Sequence, residues 1–181
     1  YDIEKRLNVP ILGAVPRIKN AFGYMDAFRR QTRFDPKIST VEFVAYRFPT
    51  APFTEAVRIV QNTASALLSG PSGSVMCISS ALPLEGKTLI SVVMSTVIAS
   101  ENKKVLLLDG DMRRPRIHQV FKVQRDEIGL SDLITGKCLD IKEAIRKSPV
   151  PGLYYMTSGS SVENPVALLK AERMQEIIEA C

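Results

Sequence analysis

Ala81-Leu82-Pro83-Leu84-Glu85-Gly86-Lys87-Thr88 separates two apolar stretches, and its reading decides the fold. Before it, Ser74-Val75-Met76-Cys77-Ile78 has the length and composition of a short strand buried on both faces. After it, Leu89, Ile90, Val92, Val93, Val97 and Ile98 fall in a run to Ser100 that suits a buried helix. Strand, Gly-Lys-Thr loop and helix, in that order, are the setting of a phosphate-binding loop. Successive N–H groups at the turn into the helix form a concave nest, and the helix N-terminus adds partial positive charge. Polyphosphate is the ligand class such a turn selects. On this reading Pro83, Leu84, Glu85, Gly86, Lys87, Thr88 and Leu89 line the nucleotide. Gly86 lets the backbone come close, Lys87 reaches the β and γ phosphates, and Thr88 offers its hydroxyl to Mg²⁺. Ala81 stands where the strict pattern has its first glycine. The plain alternative is a glycine turn capping a buried helix, with Lys87 merely solvated; the flanking strand and helix favour the nucleotide site.

Some twenty residues on, Lys103 and Lys104 lead into Val105-Leu106-Leu107-Leu108, followed by Asp109-Gly110-Asp111-Met112-Arg113. Four apolar residues read as a second buried strand, so both aspartates fall where it leaves the sheet. Open α/β sheets bind ligands outside the carboxyl ends of their strands, where the phosphate loop also lies. Two carboxylates beside a triphosphate call for a cation, and Mg²⁺ takes oxygen ligands while keeping several waters. A magnesium nucleotide is therefore the expected ligand. The competing reading is a solvated Asp-Gly-Asp turn.

These residues together resemble the cytoplasmic kinase domain of the bacterial tyrosine kinases (BY-kinases) that regulate capsule and exopolysaccharide export. In that family the loop is the Walker A motif, and an apolar strand ending Asp-x-Asp-x-Arg is the Walker A′ motif; Asp109, Asp111 and Arg113 match it. The resemblance runs along most of the chain. Leu7-Asn8-Val9-Pro10-Ile11-Leu12-Gly13-Ala14-Val15-Pro16 is similar to the family's juxtamembrane Leu-x-x-Pro-x-Leu-Gly-x-x-Pro. Gly129-Leu130-Ser131-Asp132-Leu133 and the stretch from Ser158 through Asn164-Pro165 to Leu169 also resemble family segments. The helix beginning Pro52-Phe53-Thr54-Glu55 looks like the one that carries Glu-x-x-Arg-x-x-Arg for self-association. Glu55 and Arg58 are in place, but Gln61 occupies the third position. The resemblance implies an α/β, P-loop NTPase-like parallel sheet with helices on both faces, acting as an ATP-dependent protein-tyrosine autokinase. Lys87, Asp109 and Asp111 would be catalytic, and Thr88 and Asp109 would hold Mg²⁺. Asp111 would help activate the tyrosine hydroxyl, and Arg113 would support the loop. It also implies an upstream transmembrane chain-length regulator portion and a place at the cytoplasmic face of the bacterial inner membrane.

Departures from the pattern have consequences too. Partition and cell-division ATPases of the related class place a lysine five residues before the invariant one, and Leu82 stands there. That separates the chain from one alternative, a partition-type ATPase. Leu84 replaces a common glycine, which narrows the backbone choices of the loop. The family continues into a strand with a further Asp, its Walker B motif, and a tyrosine cluster. The sequence to Cys181 contains neither, so residues 51–181 are expected to be an incomplete kinase domain, inactive alone. A nucleotide-binding assembly module without turnover is the other alternative.

Composition agrees with one domain and an extension: 181 residues, 45% of them hydrophobic, suffice for a substantial core. No run approaches the length needed to span a bilayer. The net charge of +5 is concentrated before residue 50, in Arg17, Lys19, Arg29, Arg30, Arg33 and Lys37. Residues 1–50 thus read as a basic, juxtamembrane-like arm drawn to anionic lipid, or as a solvated loop. No reading helix or aromatic platform accompanies the charge, which excludes nucleic acid as the preferred partner. Three widely spaced cysteines without C-x-x-C indicate neither zinc nor a disulfide framework, and Cys77 reads as a small buried residue. His118 reads as surface or packing. The expected elements are a helix near 53–68, strand 74–79, helix 87–100 and strand 104–108. Helices near 129–135 and 140–147, a strand near 152–156 and one final helix from Asn164 complete the order.

Overall fold

Helix α4 (Lys87–Ser100) is the axis of the fold, and its sequence explains why. Val92 to Val97 are buried without interruption, so the helix has no solvent face over that stretch and is packed from two sides. The computed structural model describes residues 2–18, 40–67 and 74–181. On one side, Val93, Met94 and Val97 pack with Phe53 and Val57 of α3 (Pro52–Leu67) and with Val44 and Ala45 of α2 (Val44–Arg47). On the other, Val92 and Ala99 pack against Leu107, Leu153 and Tyr155 of the sheet.

The sheet has three strands in the order β1-β3-β2. β1 (Val105–Leu108) runs parallel to β3 (Leu153–Met156), in the register Val105 with Leu153 through Leu108 with Met156. β2 (Arg146–Lys147) pairs antiparallel with β3. Strand alternation sends Leu107, Leu153 and Tyr155 to the α4 face. Leu106, Leu108 and Met156 go to the opposite face, against Leu130 and Leu133 of α6 (Leu130–Ile134) and Ile177 of α9 (Glu172–Ala180). Helices therefore cover both faces, as the alternation of strands and helices predicts. α5 (Ile117–Val120) docks on the α4 face, where Phe121 stacks on Tyr155 at 3.9 Å and 5° and meets Phe43 edge-on.

Several expectations need correction. Residues 74–80 form no strand, and Val75 and Met76 are exposed. No strand among the described residues runs alongside them, so their N–H and C=O groups have no ladder to join. Cys77 is accordingly exposed rather than buried. The sheet is mixed, not wholly parallel, because the helix expected over 140–147 stops after α7 (Ile141–Ala144) and the chain turns back as β2. The single final helix is two, α8 (Pro165–Leu169) and α9, with Ala171 extended between them. The N-terminal arm is not wholly irregular. It contains α1 (Asp2–Leu7), a 3₁₀ turn at Val41–Phe43 and α2. Val15 and Ile18 pack with the α3–α4 cluster, and a Cβ at Gly13 would meet Val60 Cγ2 at 2.8 Å. Lys19, Arg29, Arg30, Arg33, Lys37 and the Gly70–Gly73 link lie outside the described residues.

Candidate nucleotide site

The turn into α4 has the properties a phosphate site needs. Gly86 is the N-cap, at φ +91°, in the left-handed region that a side chain strains. No side chain caps the helix and no acidic residue lies in its first turn. The leading N–H groups therefore lack a capping partner, and the positive end of the helix dipole is uncompensated. Space around Gly86 is open: a Cβ there would meet nothing within 4 Å, so the glycine answers to φ and not to crowding. Leu84, at φ +66° and 92% exposed, takes the same unusual conformation with neither glycine's freedom nor any burial. Lys87 folds back over the loop, its Nζ donating to Ser80 Oγ at 3.0 Å, while that hydroxyl donates to the Leu82 carbonyl at 2.8 Å. Glu85 Oε2 accepts from the Leu82 N–H at 3.0 Å. Ser80 joins the loop through contacts that the motif did not reveal; an i, i+7 side-chain contact depends on how the loop closes.

β1 delivers the second half. α4 runs away from the loop for about 20 Å and β1 turns back beside it for about 13 Å, which carries Asp109 back toward the end of α4 that bears Lys87. The Asp109 N–H donates to the Met156 carbonyl as the last rung of the β1–β3 ladder. Its side chain is buried, and Oδ2 accepts from the Arg116 and Ile117 N–H groups, both at 3.0 Å. Oδ1 accepts from the Asp111 N–H at 3.2 Å. Asp109 thereby acts as the anion at the start of α5, whose Ile117 and Val120 are buried in the core. Burial pushes the Asp109 carboxyl above its ordinary range, the N–H groups of Ile117, Arg116 and Asp111 oppose this, and the Asp111 charge adds to it. Asp111 is exposed, with Oδ1 accepting from the Arg114 N–H at 3.0 Å; Arg113 is exposed beside it.

These donors fit Mg²⁺ carried with a nucleotide. A carboxylate has about four lone-pair positions. Three N–H groups occupy Asp109, which leaves one on Oδ1, and Asp111 presents Oδ2 to solvent. Among the described residues no group of three or more His, Cys, Asp and Glu gathers to hold a metal alone. Mg²⁺ needs no such cage, since one or two carboxylates plus phosphate oxygens and water suffice.

Beyond Met156 the chain enters a second clasp at the same end of the sheet. The Leu130 and Ser131 N–H groups donate to the carbonyls of Thr157 and Ser158. Asp132, buried on α6, accepts from Gly129 N–H at 3.0 Å, Ser160 N–H at 3.1 Å and Ser160 Oγ at 2.6 Å. Burial raises the Asp132 carboxyl, but the Ser160 hydroxyl, the Ser160 and Gly129 N–H groups and Lys137 together outweigh it. The net shift is downward from 3.8. Thus the two segments from Gly129 and from Ser158, separate in sequence, are two sides of one contact. On α3, half-buried Arg58 and exposed Glu55 form an ion pair at 3.6 Å. Gln61 is buried, its amide donating to Ser65, so the third position of that helix faces the core. His118 is half-buried on α5, in keeping with packing.

No family model matches the chain. Among curated proteins, it is 32% identical over 152 residues to "Tyrosine-protein kinase etk" of Escherichia coli strain K12. That match covers 84% of this chain and 20% of the relative. It is 27% identical over 178 residues to "Tyrosine-protein kinase ptk" of Acinetobacter johnsonii, covering 98% of this chain and 23% of that protein. The chain spans about a fifth of the length of the curated relatives it matches. Among solved structures, the kinase domain of Escherichia coli tyrosine kinase ETK superposes with a TM-score of 0.82 at 27% identity. The match covers 97% of this chain and 66% of that one.

Proposed function

Because the chain is, by sequence and by fold, a relative of the bacterial tyrosine-protein kinases, we propose that it binds Mg²⁺-ATP and serves transfer of the γ-phosphoryl group to tyrosine. The observation that carries this reading is the uncapped, acid-free N-terminus of α4, with Gly86 in the left-handed region and Lys87 folded over the loop. The residues Pro83 to Leu89 would cradle the phosphates, and Lys87 would neutralise charge on the β and γ groups. Thr88 and the open position on Asp109 would hold Mg²⁺, which supplies charge neutralisation across the β and γ oxygens when bound. Asp111, exposed at the carboxyl edge of β1, would accept the proton of an incoming tyrosine hydroxyl. Phosphoryl transfer asks little covalent chemistry of a protein; the work is positioning and charge.

The remaining roles follow from the same family. Residues 51–181 would be kinase domain and 1–50 a juxtamembrane arm. The site would act at the cytoplasmic face of the inner membrane in exopolysaccharide or capsule export, downstream of a transmembrane chain-length regulator portion. Glu55, exposed on α3, and its half-buried partner Arg58 would meet a second copy. No helix among the described residues is long and apolar enough to cross a membrane. Incubating the full-length protein with γ-labelled ATP, followed by phosphoamino-acid analysis, tests the chemistry. Phosphotyrosine is expected, and Asp111→Asn should suppress it more than it weakens nucleotide binding. Release of inorganic phosphate with no labelled tyrosine would instead make the chain a partition-type ATPase.

A further inference from the structure

We infer that Ser80, outside the phosphate-binding motif, is a positioning residue of the loop, acting through Lys87 and the Leu82 backbone to hold the nest ready for polyphosphate. This deepens the nucleotide reading above and rests on it. The directions of its two hydrogen bonds are settled by chemistry. A lysine ammonium only donates and a carbonyl only accepts, so the Ser80 hydroxyl hydrogen goes to Leu82 O and its lone pair faces Lys87 Nζ. Two consequences favour an anion. The Leu82 carbonyl is drawn toward Ser80, and so its partial negative charge is kept from turning into the concavity where phosphate oxygens would sit. The lysine chain is held folded across the loop, so rotamer freedom is lost on folding and not on binding.

Leu82 itself shows why such a tether is needed. Its side chain is 64% exposed and contributes little packing. Its position rests on backbone groups held from both sides, the N–H by Glu85 Oε2 at 3.0 Å and the C=O by Ser80 at 2.8 Å. One hydroxyl therefore ties the end of the 74–80 segment to both the loop tip and the lysine. A residue that only ended that segment would need neither bond.

The test is a double-mutant cycle read by calorimetry of Mg²⁺-ATP and of AMP binding to this chain, with circular dichroism confirming the fold of each variant. Ser80→Ala should weaken ATP affinity about five- to tenfold, the scale of one charge-assisted hydrogen bond. Ser80→Thr should restore most of it. AMP affinity should change much less, because Lys87 addresses the β and γ phosphates. In a Lys87→Ala background, Ser80→Ala should cost little more, since the two act as a unit. If Lys87→Ala weakens ATP binding while Ser80→Ala does not, or if the two losses multiply independently, the positioning role is overturned and the nucleotide site stands. If Lys87→Ala leaves ATP affinity unchanged, the nucleotide reading falls and the role of Ser80 falls with it. Should Ser80→Ala fail to fold, Ser80→Gly is read by the same criteria.

Discussion

At the scale of single residues, the carboxylates divide by what surrounds them. Asp132 is buried but satisfied: two N–H groups and one hydroxyl point at it, with Lys137 Nζ 3.9 Å away. Its folded pKa lies below 3.8, so the unfolded chain binds its proton more readily than the folded one. The stability this gives is present above the unfolded value and is lost as pH falls through the folded value. Asp132→Asn should therefore cost about 1–3 kcal/mol at pH 7 in urea unfolding. The gap between variant and wild type should close at pH values below the ordinary 3.8; a gap independent of pH would contradict the charge's role. The places of Asp109 at the end of β1 and of Gly86 at the start of α4 were legible in the sequence because each answers to a local rule of spacing. The Ser80–Lys87 contact was not, since a bond across seven residues depends on how the loop closes, nor was the Asp132–Ser160 pairing, since a contact spanning 28 residues is created only when strands bring two loops together. Leu84 shows a partly legible case: the missing glycine is visible in sequence, yet its positive φ is set by the loop.

At the scale of elements, those with strong local signals ran true. The helix Lys87–Ser100 begins at a glycine and keeps one apolar run, and β1 is four apolar residues after two lysines. The stretch Ser74–Ile78 had the same apolar signal but formed no strand, because a strand exists only with a neighbour to bond. β2 escaped notice because two residues carry no period at all. Gly129 and Gly86 show that glycines serve different ends. Gly129 has an extended φ of −153° that any residue adopts, but a Cβ there would lie 2.4 Å from the backbone of Gly159 and Thr157. Gly129→Ala should destabilise by about 2–4 kcal/mol, since rigid backbone must shift and the α6 clasp with it. Gly86→Ala, strained in φ but in open space, should cost only about 1–2 kcal/mol. Thermal unfolding of the two variants checks the order, and a smaller loss at Gly129 would contradict the close packing.

At the scale of the molecule, one packing decision places the site. α4 is buried on two sides, by α3 and α2 and by the sheet, so its N-terminus cannot drift relative to the end of β1. β1 is bonded to β3 through Asp109, which also anchors α5; α6 is bonded to the exit of β3. The loops after β1 and β3 at that end are therefore tied to the sheet, and the phosphate loop to α4. The fold class and the meeting of the phosphate and Asp109 loops were readable from the alternation of elements, but the joining of the α6 loop to the exit of β3 was not, because it depends on the sheet order. Whether that end of the sheet binds nucleotide is decided by calorimetry of this chain with ATP in Mg²⁺-containing buffer. Saturable binding is expected, weakened at least tenfold by Lys87→Ala and dependent on Mg²⁺, with the unfolding temperature of the variant little changed. An affinity that Lys87→Ala leaves as it was would contradict the account.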